Sequence, residues 1–451
     1  MHAKGYTLLS MTLGFVVVQL DVTVVNVATQ TIGASIGGSV SSLQWVVNAY
    51  TLAFASLILT AGAMGDRIGA KRVFATGFMI FTAASLGCAV SPSLPFLIVS
   101  RLVQGFGAAI LVPCSLALLN HTYPGRKEKE KAVGIWAAGA SIALATGPIV
   151  GGLLINSWGW RSIFLINLPI GALGIWLSSR YAKETPGDPG RNADPRGQIA
   201  AIAALTVLAT ALISGGKQGW TNAYVIGGMA LFIVLFGLFL RIESKTIQPM
   251  LPLSLFRSKA FSATTIIGFL LNISFYGLLF IVSLYFQRLR GYTPLKTGLA
   301  FLPMMVAVFL ANILASRLSG KMGQRLVITA GGLLFLAGCL LLVGVGNKTG
   351  YPWIAPQLAA IGMGVGLVVP PMTSAMLDSV EKSRSGIASA ILNSVRQTGS
   401  VVGVALFGSL IAHRDKLLQG LHLSLIISCA LLLVTVLSAR AIPSRKDLSP
   451  A

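Results

Sequence analysis

The sequence predicts an all-α integral membrane protein with 14 transmembrane helices, and three observations predict it. Of 451 residues, 55% are hydrophobic and only 10% are charged, against about 25% charged in a soluble domain. The mean hydropathy is +0.80 over the whole chain. The apolar residues also fall in repeated runs long enough to cross a bilayer as helices, for which about 20 residues are needed. In lipid each backbone N–H and C=O must be paired within its own segment, and helices do this. Barrel strands would be about half as long and would alternate.

Taken in order, the runs lie at 7–29, 43–65, 73–91, 95–118, 132–156, 161–180, 198–215, 222–241, 260–286, 298–317, 326–346, 353–376, 386–412 and 421–440. No small-residue cleavage site follows the first run, so it reads as an uncleaved span and not a signal peptide. Cys88, Cys114, Cys339 and Cys429 all lie inside runs, with neither metal-ligand nor disulfide spacing, and read as buried small hydrophobes. The Pro-, Gly- and charge-rich stretch AKETPGDPGRNADPRG (182–197) reads as a linker, and a second connector covers 241–261. Between them sit two spans with almost no charge. The expected organisation is an N-terminal six-helix bundle (1–181), linkers with two extra transmembrane helices (182–259), and a C-terminal six-helix bundle with a cytoplasmic tail (260–451). GDRIGAKRV (65–73) and SGKMGQRLV (319–327) align at Gly69 and Gly323, at the same loop of each bundle. Such repeated halves are common in transporters.

The formal charge of +22 comes from 34 Lys and Arg against 12 Asp and Glu. On a soluble protein it would suggest nucleic acid. Here the cations occupy short loops between apolar runs, so no nucleic-acid partner is expected. They fall about three to one on the segments that share a side with the N-terminus. By the positive-inside rule this places both termini in the cytoplasm of a multi-pass protein of the cytoplasmic (inner) membrane.

Asp21, in LDVTVVNVA (20–28), is the one carboxylate deep in a span. A charge there costs at least about 2.5–3.5 kcal/mol, which points to a partner or a cavity. Two cations also lie within spans: Arg101 in IVSRLVQGFG and Arg396 in LNSVRQTGS. Burial favours a neutral carboxyl and a nearby cation favours a carboxylate, so an acid balanced between them can take and release a proton. Asp21 and Arg101 are therefore the candidate proton-coupling pair, with a static ion pair that only fixes helix packing as the alternative. In GAMGDRIGAKR (62–72), Gly65 and Gly69 suit a tight turn. Asp66 suits capping of the next helix or a bond to Arg67. In GASIALATGPIVGGLL (139–154), Gly147 and Gly151 allow close helix contact and Pro148 removes a backbone donor and bends the helix. A smooth, bendable helix at the join of two halves suits a rocking motion; ordinary tight packing is the alternative.

No GxxxxGK[ST] phosphate loop is present. His2, His121, His413 and His422 lie near span ends and make no metal or nucleophile constellation. No enzyme activity and no cofactor are expected, and a proton gradient is the simplest energy source.

Six motifs in order carry a resemblance over nearly the whole chain: LDVTVVNVA, GAMGDRIGAKR, RLVQGFGAA (101–109), GPIVGG (147–152), WGWRSIFLINLPIG (158–171) and LNSVRQTGSVVGVA (392–405). The chain resembles the fourteen-span drug:proton antiporter family of the major facilitator superfamily, and within it exporters of the methylenomycin-resistance type. The resemblance implies Asp21 as the proton-titrating or substrate-sensing acid and Arg101 as its electrostatic partner. It implies Gly65, Asp66, Arg67, Gly69 and Arg72 as a conformational latch. It implies Gly147, Pro148, Gly151 and Gly152 at the interface between the halves. The second loop has Gly320 in place of the acid, which argues against a symmetric latch.

The mechanism expected is alternating access by a monomer, with a small-molecule drug and protons as partners and the lipid bilayer as surroundings. The drug would bind between the halves. Polar and aromatic span residues are the candidate substrate cavity: Gln19, Asn26, Trp45, Asn48, Tyr50, Gln104, Asn272, Tyr276, Asn393, Arg396 and Gln397. With Asp21 ionised, the charges within spans sum to +1, so neutral or anionic apolar substrates are expected over quaternary ammonium compounds. A proton-coupled importer of a small metabolite and a non-transporting receptor on the same fold are the rival classes.

Overall fold

The computed structural model describes residues 2–187, 194–381, 384–411 and 417–443. His413, residues 188–193 of the linker and some of the cations counted above lie outside the described residues.

Each of the fourteen apolar runs coincides with one helix or a broken pair. In chain order they are α1 (His2–Ile36), α2 (Val40–Ile68), α3 (Ala70–Ala89), α4 (Leu94–Thr122), α5 (Arg126–Trp158), α6 (Ser162–Leu165), α7 (Asn167–Tyr181), α8 (Pro195–Gln218), α9 (Ala223–Lys245), α10 (Lys259–Leu284), α11 (Pro294–Ala300), α12 (Leu302–Met322), α13 (Gln324–Leu342), α14 (Tyr351–Asp378), α15 (Ser385–Leu410) and α16 (Leu417–Ser438). Thirteen spans are long and apolar enough to cross a membrane among the described residues. The remaining run, α15, is helical but diluted by Asn393, Ser394, Arg396, Gln397 and Thr398 in its middle. Helix starts follow local chemistry. Ser39 Oγ accepts from Ser42 N at 3.3 Å and Ser258 Oγ from Phe261 N at 3.3 Å. Proline opens α4, α12 and α14, where a missing N–H is harmless.

The chain divides into two compact units. The first comprises Met1–Thr206, Leu235–Met250 and Thr293–Gly298; the second comprises Val207–Val234, Leu251–Tyr292 and Leu299–Ala451. The two extra helices, α8 and α9, contribute to both. In the first unit Gln198 of α8 donates to Ser56 O at 2.8 Å and bonds Thr60. In the second, Gly216 of α8 lies so close to Ser409 that a Cβ would stand 2.6 Å from its Cα. The outer face of α9 carries Tyr224, Ile226, Leu231, Ile233 and Val234 exposed, as suits a helix facing lipid.

Glycine contacts set the packing of the first unit. A Cβ on Gly105 of α4 would stand 2.9 Å from the Tyr50 carbonyl carbon of α2, and one on Gly107 would stand 2.7 Å from Phe81 N of α3. On α5, a Cβ at Gly151 would stand 2.9 Å from Val24 Cγ1 of α1. Such approaches admit no side chain and bring backbones close enough for dense dispersion contact.

The second unit repeats these contacts. Gly362 meets Met304 as Gly105 meets Tyr50, and Gly364 meets Phe335 as Gly107 meets Phe81. Gly399 and Gly403 of α15 meet Phe269 and Ile273 of α10 as Gly147 and Gly151 of α5 meet Leu20 and Val24 of α1. The loop alignment holds as well. Gly69 and Gly323 both carry positive φ, 102° and 85°, and their amides close the preceding helices at 3.1 and 2.9 Å. Gly65 departs from expectation. It is helical, within the last turn of α2, and no turn residue; its constraint is Cys114 Sγ, 2.7 Å from where a Cβ would be.

Candidate coupling site

The first unit brings Asp21 and Arg101 together and seals them. Asp21, on α1, is 2% exposed, and Arg101, on α4, is 1% exposed. Arg101 Nη1 donates to Asp21 Oδ2 at 2.5 Å and to Gln104 Oε1 at 2.6 Å, while its Nε donates to Val46 O of α2 at 3.1 Å. Asp21 Oδ1 accepts from Gln104 Nε2 at 2.9 Å and from Asn167 Nδ2, at the start of α7, at 3.3 Å. Ser85 Oγ of α3 accepts from both amides, at 2.8 and 3.3 Å, and donates to Phe81 O at 2.8 Å. The guanidinium carbon lies 4.3 Å from the Tyr50 ring centre and 5.8 Å from that of Phe164. Five helices thus supply side chains to one charge pair, and α6 adds the Phe164 ring.

The pair survives burial because the carboxylate is met by one full positive charge and two amide dipoles. Removing either charge would leave the other without compensation, at about 3–5 kcal/mol. Every group that positions Arg101 sits on a different helix from Asp21. A change in the charge of Asp21 therefore acts on how α1 is held against α2, α3, α4 and α7.

Gln104 and Tyr50, expected in a substrate cavity, stand at this site. Gln104 has no exposed surface and is used by both charges. Tyr50 is also fully buried, with its Oη donating to Val18 O at 3.3 Å. The sequence reading missed Asn167 and Ser85. Asn167 stands within WGWRSIFLINLPIG, where its place at the broken join of α6 and α7 was the available signal. Ser85 is a small uncharged residue within the apolar run of α3 and carried none. Cys88 also touches the site, with Sγ 3.6 Å from Gln104 Oε1.

Of the other candidates, Asn26 and Asn272 are buried and donate to carbonyls of their own helices, Val22 O at 2.8 Å and Gly268 O at 2.7 Å. Asn393 does the same with Ser389 O at 3.0 Å. Asn48 is fully buried, and both polar atoms of its side chain are without a hydrogen bond. Gln19, Trp45, Arg396 and Gln397 are half-buried, and Tyr276 is buried.

Among the described residues the second unit has no counterpart of the charge pair. By the matched glycine contacts, Asp21, Arg101 and Gln104 correspond to Leu270, Leu358 and Ile361. The glycine scaffold is duplicated; the charged chemistry is confined to one copy.

The α2–α3 loop and the α5 glycines also acquire partners. The Lys71 and Arg72 amides donate to the Glu184 carboxylate at 2.8 and 3.2 Å, and the Ala70 amide to Thr185 Oγ1 at 2.8 Å. Glu184 also lies 3.7 Å from Arg72 Nε. Glu184 and Thr185, from the segment read as a bare linker, thus cap α3, a role the sequence suggests for Asp66. Gly147 and Gly151 close on Thr23 and Val24 of α1, within the first unit. Gly152 meets Pro294 and Leu295, and Gly298 meets Pro148; segment 293–298 belongs to this same unit. Glu184→Ala removes the cap, worth about 1 kcal/mol at a partly exposed helix start. Trypsin cleavage at Lys183 is expected to quicken several-fold; an unchanged rate would mean that the segment is held by other contacts. Among the described residues no group of three His, Cys, Asp or Glu side chains is placed to hold a metal.

Serial apolar helices, duplicated glycine contacts and a sealed charge pair define a polytopic membrane transporter. The family model of the Major Facilitator Superfamily matches residues 11–404, and the chain belongs to that superfamily. It is 39% identical to the methylenomycin A resistance protein of Streptomyces coelicolor over 90% of this chain and 85% of that one. It is 37% identical to the multidrug resistance protein Stp of Mycobacterium tuberculosis over 90% of this chain and 75% of that one. In fold it is similar to a bacterial homologue of the human lysosomal transporter Spinster, with a TM-score of 0.68 at 17% identity, covering 100% of this chain and 99% of that one.

Proposed function

We propose that this chain exports small apolar drugs or antibiotics across the cytoplasmic membrane in exchange for protons, and so confers resistance. The observation that carries the proposal is the Asp21–Arg101 pair, buried in the first unit and tied through Val46 O, Gln104, Ser85 and Asn167 to α2, α3 and α7. A proton arriving at Asp21 converts the carboxylate to a neutral acid and cancels its attraction for Arg101. The helices that the two groups hold together are then free to take a second arrangement, which is what a coupled carrier requires. Loss of the proton on the opposite side restores the pair. Relatives named for resistance to methylenomycin A and to multiple drugs support drug export over import. In this reading both termini are cytoplasmic, the monomer is the working unit, and no cofactor takes part. The loop of Gly65, Asp66, Arg67, Gly69 and Arg72 latches one arrangement. Gln19, Asn26, Trp45, Asn48, Asn272, Tyr276, Asn393, Arg396 and Gln397 contact the drug.

Proteoliposomes of the purified chain, loaded with a pH-sensitive dye, test this. Addition of drug is expected to drive proton movement in the opposite direction to drug flux, and an imposed pH gradient to drive drug uphill. Drug flux with no linked proton movement would refute the coupling. Proton movement in the same direction as the drug would favour an importer.

A further inference from the structure

Two arginines lie within the spans, and the structure treats them differently. Arg101 has a carboxylate, a side-chain carbonyl and a backbone carbonyl as acceptors. Arg396, on α15, has no hydrogen-bond or ion-pair partner among the described residues, and its Nε is buried without an acceptor. The stem of its side chain packs near apolar groups. A Cβ on Gly268 would lie 3.5 Å from both Arg396 Cγ and Met372 Sδ and 3.1 Å from Leu392 Cδ1. The Tyr276 side chain lies within electrostatic reach of it. In the duplicated scaffold Arg396 corresponds to Leu144 of α5, so it is no relic of the Asp21–Arg101 site.

A guanidinium placed among apolar groups with no counter-charge is unfavourable by several kcal/mol, and buried charges are ordinarily paired. Arg101 obeys that rule; Arg396 obeys it only when something else brings the anion. Gln397, next to it, has its Oε1 buried without a hydrogen bond, so a second polar atom of the same helix is also unmatched. Both residues are half-buried overall, which leaves part of each accessible to a guest.

We propose that Arg396 is the recognition site for the carboxylate of an acidic, otherwise apolar substrate. The planar guanidinium offers parallel N–H donors that match a carboxylate, and Gln397 Oε1 accepts from a hydroxyl or N–H beside it. The substrate then supplies the counter-charge that Arg396 lacks among the described residues. An acid is bound at Arg396, while an ester or amide of the same body gains only its apolar contacts. The proposal rests on the export reading above and names its substrate class.

The test uses the full chain in detergent and a matched fluorescent pair, 1-pyrenebutanoate and its methyl ester. Wild type is expected to bind the acid at least 10-fold more tightly than the ester. Arg396→Gln is expected to lose that 10-fold for the acid and leave the ester unchanged, while Arg396→Lys retains part of the preference. Equal binding of acid and ester by wild type overturns the proposal. So does an equal loss for both probes in Arg396→Gln, which would mark Arg396 as a packing residue. Drug-driven proton movement with a neutral drug, measured on wild-type vesicles, keeps the two readings apart. Its presence leaves export standing whatever becomes of the acid preference, and its absence defeats export itself.

Discussion

Asp21→Asn is expected to abolish uphill drug export while leaving downhill movement of the same drug. Asparagine keeps the shape of the side chain and an oxygen for the Arg101 Nη1 donor. It has no proton to gain or lose, so the site is fixed in one charge state. The drug gradient sustained by a pH gradient should fall roughly 100-fold, equivalent to about 2.8 kcal/mol of lost coupling. Arg101 would be left buried opposite a neutral group, so a lower thermal stability is expected alongside. Counterflow of labelled against unlabelled drug separates the two effects. A folded Asp21→Asn protein that counterflows but does not concentrate drug fits the mechanism. One that concentrates drug as wild type does, with wild-type proton movement, sinks it.

Gly105→Val is expected to give the largest structural effect. Gly105 follows Gln104 on α4 and faces the backbone of α2. Its Cβ would stand 2.9 Å from the Tyr50 carbonyl carbon and 3.0 Å from Ala53 Cβ. A helix backbone yields far less readily than the end of a side chain, so α2 and α4 must separate. Overpacking of this kind costs about 3 kcal/mol or more. Separation would also draw Arg101 away from Val46 O and turn Tyr50 off the guanidinium. Reduced thermal stability in detergent, with loss of drug-driven proton movement in whatever protein survives, is the expected pair of results. Wild-type stability would show that the two helices pack less tightly at this point than the geometry requires.

The helices were legible because hydrocarbon leaves the chain one choice. Every apolar run became a helix or a broken pair of helices, including α15, whose polar centre makes it the weakest by composition. The acid–arginine pair was legible for the same reason: Asp21 and Arg101 were conspicuous in oil, and few partners were available to either. What the sequence left obscure is what ordinary residues do once the helices meet. Asn167 and Ser85 are common, uncharged residues, and only the crossing of α1, α3, α4 and α7 gives them a purpose. Glu184 was hidden for a different reason. A segment rich in Pro and Gly looks unstructured, yet two residues of it supply the acceptors that α3 lacks at its start. Gly147 and Gly151 were correctly seen as contact residues, but spacing alone does not say which helix they contact.

The polar middle of α15 has a consequence for how the protein is made. A segment carrying Arg396, Gln397 and Asn393 in its centre partitions poorly into lipid by itself. It becomes acceptable once Gly399 and Gly403 seat against Phe269 and Ile273 of α10. Biogenesis should therefore stall at this point until the earlier helix is in place. Ribosome-bound nascent chains that end just after α15 should leave it accessible to thiol reagents at introduced cysteines if α10 has been replaced by an unrelated apolar span, and protect it when α10 is intact.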